Sequence, residues 1–80
     1  MTPTLPTQQR KTLEFINDYI EKKETGPTSK EIALHLGRSQ SAVGFHLRAL
    51  LAKHLIFRVP GRKRGLEMTP AGVKRLEEDG

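Results

Sequence analysis

Apolar residues recur along this chain in two rhythms, and the change of rhythm near residue 55 divides it. Leu13, Ile16 and Ile20 are spaced by three and four with Phe15 and Tyr19 beside them, so one apolar stripe runs along a first helix over about 7–23. Gly26-Pro27 ends that helix and turns the chain. Ile32, Ala33 and Leu36 give a second, shorter helix over 29–36 its inward face. In a third, over about 40–53, Val43, Leu47, Leu50, Leu51 and His54 cluster within about 80° on a helical wheel, which makes them the buried face. From Leu55 the pattern becomes a β-prone run, Leu55-Ile56-Phe57-Arg58-Val59, then a turn bracketed by glycines at 60–65, then a second short strand, Leu66-Glu67-Met68. Val73 and Leu76 belong to a last short helix.

Polar residues mark the element ends. Thr28-Ser29-Lys30-Glu31 has the form of a capping box, in which hydroxyl and carboxylate satisfy each other's backbone N–H. Gly37 stands where a left-handed residue closes a helix, and one residue later Ser39 is placed to cap the next. Thr69-Pro70 supplies a cap followed by a proline suited to the first helical turn. Residues 1–6, with two prolines, read as an extended arm ahead of a single domain over 7–80. The order helix, helix, helix, hairpin, helix is that of a winged helix-turn-helix, an α+β fold that is mainly α.

Composition narrows the classes. Eighty residues allow one small domain, and 35% hydrophobic residues without Trp make its core small and mostly aliphatic. There is no Cys, so neither disulfides nor a thiolate zinc site can staple it. No run approaches the roughly 18 apolar residues of a membrane span, and the uncharged N-terminus lacks a secretory core. A soluble, cytoplasmic, nucleoid-associated domain is expected, with no cofactor, metal, membrane or small-molecule ligand.

Charge changes the picture most. Between Ile32 and Leu66 lie seven basic residues (Arg38, Arg48, Lys53, Arg58, Arg62, Lys63 and Arg64) and no Asp or Glu. The middle is +7 and the flanks −2, which gives the net +5. Ordinary solvated surfaces intersperse both signs, whereas segregation of this kind creates a field suited to nucleic acid. The outward face of the third helix carries Ser41, Phe45, Arg48, Ala49 and Ala52, with Gly44 on one flank and His46 on the other. Small residues there let backbone approach base edges inside a major groove roughly 12 Å wide. Gly44 has two explanations, close approach to DNA or packing against the second helix. Phe45 either contacts a thymine methyl or deoxyribose, or folds back over neighbouring apolar surface. Gln40 and Ser41 occupy the first turn, where recognition helices touch bases, and Arg48 can reach a guanine or a phosphate, the phosphate being favoured. Thr28, Ser29 and Lys30 start the second helix, whose free N–H groups make an anion site, while a capping Ser39 can also donate to a phosphate. At the hairpin tip, Arg62-Lys63-Arg64, with Arg58 on the strand before it, suits phosphate contact or minor-groove insertion. If about five of these cations neutralise phosphates, log affinity falls with log salt at a slope of about −4 to −5.

Catalysis is not indicated. His35, His46 and His54 have no Cys partner and no carboxylate within helical reach, and the acid-free centre cannot hold a divalent metal. His46 is expected at the boundary of the core, hydrogen-bonded to backbone or water.

Several segments resemble the DNA-binding domain of the LexA repressor family. They are Gly26-Pro27-Thr28-Ser29-Lys30-Glu31-Ile32-Ala33, Leu36-Gly37, Arg38-Ser39, Ala42 and His46-Leu47-Arg48-Ala49-Leu50, together with Leu5, the 16–20 segment and Gly65-Leu66. The resemblance spans roughly residues 5–68. Leu66-Glu67-Met68-Thr69-Pro70-Ala71-Gly72 is instead similar to the end of a MarR-type wing, where the chain enters a further helix. The resemblance implies a transcriptional repressor whose third helix reads an operator through Ser39, Ser41, Ala42, Gly44 and Phe45. The family pattern has two adjacent acids where this chain has Gly44-Phe45, an Asn where it has Ser41, and a turn one residue longer, so the family's operator does not transfer. The resemblance does not reach a protease and dimerisation domain, and self-cleavage is not implied. A sequence-specific regulator of double-stranded DNA is therefore expected, as a possible homodimer or with a missing partner domain. A winged-helix protein-interaction module and a non-specific replication or recombination accessory are the alternatives.

Overall fold

The computed structural model describes residues 4–79. Helix α1 (Thr7–Lys23), α2 (Ser29–Leu36) and α3 (Gln40–Ala52) lead into a two-stranded antiparallel hairpin, β1 (Ile56–Arg58) and β2 (Leu66–Met68), and then α4 (Pro70–Asp79). Ile56 pairs with Met68, Phe57 with Glu67 and Arg58 with Leu66. This is the winged helix-turn-helix order. α1 is the hub, packing against the other three helices and β2.

The core is aliphatic. Leu13, Ile16, Ile32, Val43 and Leu50 are fully enclosed, with Leu47, Leu55, Ile56 and Leu66 nearly so. Leu5 is only 4% exposed and joins the same cluster. The stretch expected as an extended arm over 1–6 is thus anchored at its fifth residue, and residues 1–3 lie outside the described residues. Buried Thr12 returns its hydroxyl to the Gln8 carbonyl at 2.7 Å, and buried Gln9 accepts from Lys53 Nζ at 2.7 Å, which ties the end of α3 to α1.

The helix ends follow the local signals. Thr28 and Glu31 form the complete capping box, Ser39 accepts from the Ala42 N–H at 3.1 Å, and Thr69 accepts from the Gly72 N–H at 2.9 Å. Gly37 closes α2 with φ +66°.

The end of α3 corrects one expectation. His54 is exposed rather than part of the buried face, because the helix stops at Ala52. The His54 N–H bonds the Leu51 carbonyl at 3.0 Å and the Leu55 N–H bonds the Leu50 carbonyl at 3.1 Å, with His54 at φ 60°. That is a Schellman closure in which histidine occupies the position glycine usually takes, and buried Leu50 and Leu55 complete it. The closure fixes the direction in which the hairpin leaves α3.

Two glycines then grip the base of the hairpin. A Cβ on Gly26 would sit 2.2 Å from the Leu66 carbonyl oxygen, and one on Gly72 would sit 2.0 Å from that of Leu55. The α1–α2 loop and α4 therefore approach the two sides of the wing root at backbone contact.

Candidate nucleic-acid interface

The outward side of α3 is open. Gln40, Ser41, Phe45 and Arg48 are exposed, and Ser39 is exposed beside them while capping the helix. A Cβ added to Gly44 would meet nothing within 4 Å. Packing against α2 is thus not what keeps this position small. Phe45 is 62% exposed and does not fold back over apolar surface. Its ring meets that of His46 edge-on, at 6.0 Å between centroids. His46 Nδ1 is buried and has no protein hydrogen-bond partner among the described residues.

The seven cations of the acid-free centre divide into two groups. Arg38, Arg48, Arg58, Arg62 and Lys63 are exposed, and none has an acidic partner among the described residues. Lys53 reaches Gln9, and Arg64 turns inward. The Arg64 Nη1 donates to Glu31 Oε1 at 2.7 Å, to the Tyr19 hydroxyl at 2.8 Å and to the Gly26 carbonyl at 3.4 Å, while Nη2 donates to Glu31 Oε2 at 3.2 Å. The third basic residue of the tip was expected on phosphate, and its guanidinium is instead committed to a fork on a carboxylate.

Thr28 takes the capping role expected of it. Its hydroxyl and backbone N–H both bond Glu31, so its side chain is a cap first. Ser29, half-buried, and Lys30, exposed, remain at the start of α2 as the groups open to an anion. The Glu31 carboxylate shares that helix end, and Arg64 balances its charge. The guanidinium first, and then the Thr28 N–H, hold the Glu31 pKa down from 4.5 to about 2, and Glu31 in turn raises that of Arg64.

Sequence reasoning passed over Leu34, which is 75% exposed on α2 between Lys30 and Arg38. It borders a shallow hollow of about 390 Å³ with Ala33, Gly37 and Gln40, on the side that leads to the start of α3. Its departure from the inward spacing of Ile32, Ala33 and Leu36 was the available signal. A wider hollow of about 1010 Å³ lies along α1, where Phe15 stacks on His35 at 4.2 Å. Its charged rim mixes Glu14 and Asp18 with Lys11, Lys22 and Lys23. Among the described residues no group of three or more His, Asp or Glu could hold a metal ion, and no helix is long and apolar enough to cross a membrane.

With this geometry in place, the family follows from comparison. The LexA DNA binding domain family matches residues 1–65. The chain belongs to that family. LexA repressor 2 of Geobacter sulfurreducens is 40% identical over 67 residues, covering 82% of this chain and 33% of its own length. The LexA repressor of Saccharophagus degradans is 43% identical over 65 residues, covering 80% and 32%. The chain thus spans about a third of the length of these LexA relatives. Among solved structures, the Staphylococcus aureus MepR–DNA complex superposes with a TM-score of 0.75 at 29% identity, covering 91% of this chain and 53% of that one. MepR described as a transcription regulator of the multidrug efflux pump MepA gives 0.77 at 28% identity, covering 94% and 54%. These winged-helix neighbours extend the likeness beyond the LexA-type segment, in line with the MarR-type reading of residues 66–72.

Proposed function

We infer that this chain is the sequence-specific, double-stranded-DNA-binding module of a transcriptional regulator, acting as a repressor in the cytoplasm. The observation that carries the reading is the outward surface of α3. Gln40, Ser41, Gly44 and Phe45 offer an open, uncharged face, and the exposed cations Arg38, Arg48, Arg58, Arg62 and Lys63 surround it in sequence. In this reading α3 enters the major groove with Gln40, Ser41 and Phe45 against base edges, and Gly44 lets the backbone come close. Arg48, Arg38, Ser39 and the start of α2 at Ser29 and Lys30 take phosphates, while Arg58, Arg62 and Lys63 carry the wing to phosphate or the minor groove. The LexA relatives and the MepR–DNA complex support the DNA-binding reading as such. A homodimer on a two-fold operator remains part of the proposal, since a single module buries little DNA surface.

Selection of bound sites from a random duplex library at physiological salt tests it. An enriched motif supports the reading, and a two-fold symmetric one also establishes a dimer and its half-site spacing. A single half-site supports a monomeric module. Absence of enrichment overturns sequence specificity and favours a non-specific accessory or a protein-docking role.

A further inference from the structure

Arg64 stands apart from the other cations of the wing. It immediately follows Arg62 and Lys63 in sequence, yet its guanidinium points back at Glu31 and Tyr19 rather than outward with theirs. Glu31 lies 33 residues earlier and Tyr19 45 residues earlier, on α2 and α1. The cluster is closed on itself, since the Tyr19 hydroxyl donates to Glu31 Oε2 at 3.1 Å and Glu31 Oε1 accepts from the Thr28 N–H at 2.8 Å. Arg64 also lies over the Tyr19 ring, 5.8 Å from its centroid, and reaches the carbonyl of Gly26, the residue whose backbone touches Leu66. One side chain thus joins the wing root to α1, to the α1–α2 loop and to the cap of α2.

The Val59 N–H bonds the Gly65 carbonyl at 2.8 Å, which closes the hairpin just below the tip. Within the tip, Arg64 is tied to the helical body by the side-chain hydrogen bonds just described. A cation placed so spends Nη1 on three residues inside the protein, although its side chain stays 40% exposed. Its charge is already balanced by Glu31.

We propose that Arg64 is a positioning residue rather than a phosphate contact: through Glu31 and Tyr19 it fixes where Arg62 and Lys63 sit relative to α3. The proposal rests on the DNA-binding reading of the wing and deepens it. It gives Tyr19, on a helix remote from the expected groove, a part in DNA affinity. It also makes the direction of effect diagnostic. A phosphate-binding Arg64 held back by internal partners would be released by losing one of them, and binding would tighten. A positioning Arg64 loses its grip, and binding weakens.

Affinity for a selected duplex is measured by titration for the full chain and for Tyr19→Phe, a charge-neutral change that removes only the hydroxyl. About threefold weakening is expected, and tighter binding overturns the proposal. Arg64→Gln is then compared in two backgrounds. It is expected to weaken binding about tenfold in the parent and less than twofold when Arg62→Gln and Lys63→Gln are already present, because it acts through the tip. Equal losses in both backgrounds overturn the proposal and identify a direct contact. A readout without DNA uses the absence of native cysteine: a nitroxide on Lys63→Cys broadens amides of α3 by proximity. Arg64→Gln and Tyr19→Phe are expected to change that broadening pattern while α3 stays helical, and an unchanged pattern overturns the positioning role. If the parent fails to bind duplex, or loss of Arg62 and Lys63 leaves affinity untouched, the DNA-binding reading of the wing is what fails, and the nitroxide measurement still decides the role of Arg64.

Discussion

A methyl group added at Gly44 meets nothing within 4 Å in the protein, so its effect on the free domain reduces to helix propensity, about 1 kcal/mol in favour of Ala. Gly44→Ala is therefore expected to raise the urea midpoint and to weaken binding to a selected site. A variant that binds as tightly as the parent excludes close approach there. Phe45 and Arg48 divide in another way, both exposed on the same helix but only one of them charged. Arg48→Ala should weaken selected and random duplexes alike, whereas Phe45→Ala should erode mainly the ratio between them. Equal losses on both duplexes for Phe45→Ala would remove its base-reading role. Glu31 makes a prediction in pH. Its folded pKa of about 2 lies below the ordinary 4.5, so the stability it contributes is complete above 4.5 and is lost as pH falls toward 2. The gap in urea midpoint between the parent and Glu31→Gln should accordingly narrow over that range, and a constant gap would show that the carboxylate's charge contributes nothing.

At the scale of elements, the caps and turns were readable because each is decided within four residues. The Thr28–Glu31 box, Gly37 and Ser39 need only their neighbours, and the spacing of Val43, Leu47 and Leu50 was enough to orient α3 and so to nominate its opposite face. What the sequence concealed depends on distant partners. The wheel placed His54 with the buried residues because it assumed another half-turn of helix, while the Leu50–Leu55 contact ends α3 earlier. No glycine advertised that ending. Arg64 looked like its two neighbours because nothing local distinguishes it from them, and only the fold brings Glu31 within 2.7 Å. Since His54 bears a left-handed backbone that costs an L-residue about 1 kcal/mol, His54→Gly should raise the urea midpoint without moving the hairpin. A lowered midpoint would mean that the imidazole compensates through contacts worth more than the strain.

The whole molecule has little stability to spare. A chain of this length is held by roughly 4–12 kcal/mol at the usual 0.05–0.15 kcal/mol per residue. Leu5, outside every helix, is nevertheless 4% exposed in the core, so Leu5→Ala should cost about 2–5 kcal/mol, a large share of the total. Thermal or urea unfolding checks this, and a loss under about 0.5 kcal/mol, the usual effect of a surface change, would return Leu5 to the status of a loose arm. The division between the uncharged face of α3 and the cations around it has a consequence for how the domain spends its time. Cations hold any stretch of duplex equally well and make no distinction among the immense number of wrong addresses in a chromosome. In the proposed reading, residence on DNA and choice of position thus fall to different side chains. Strengthening the cations alone would lengthen every stop along the search, and the operator would gain occupancy only as far as Gln40, Ser41, Gly44 and Phe45 tell it from its surroundings.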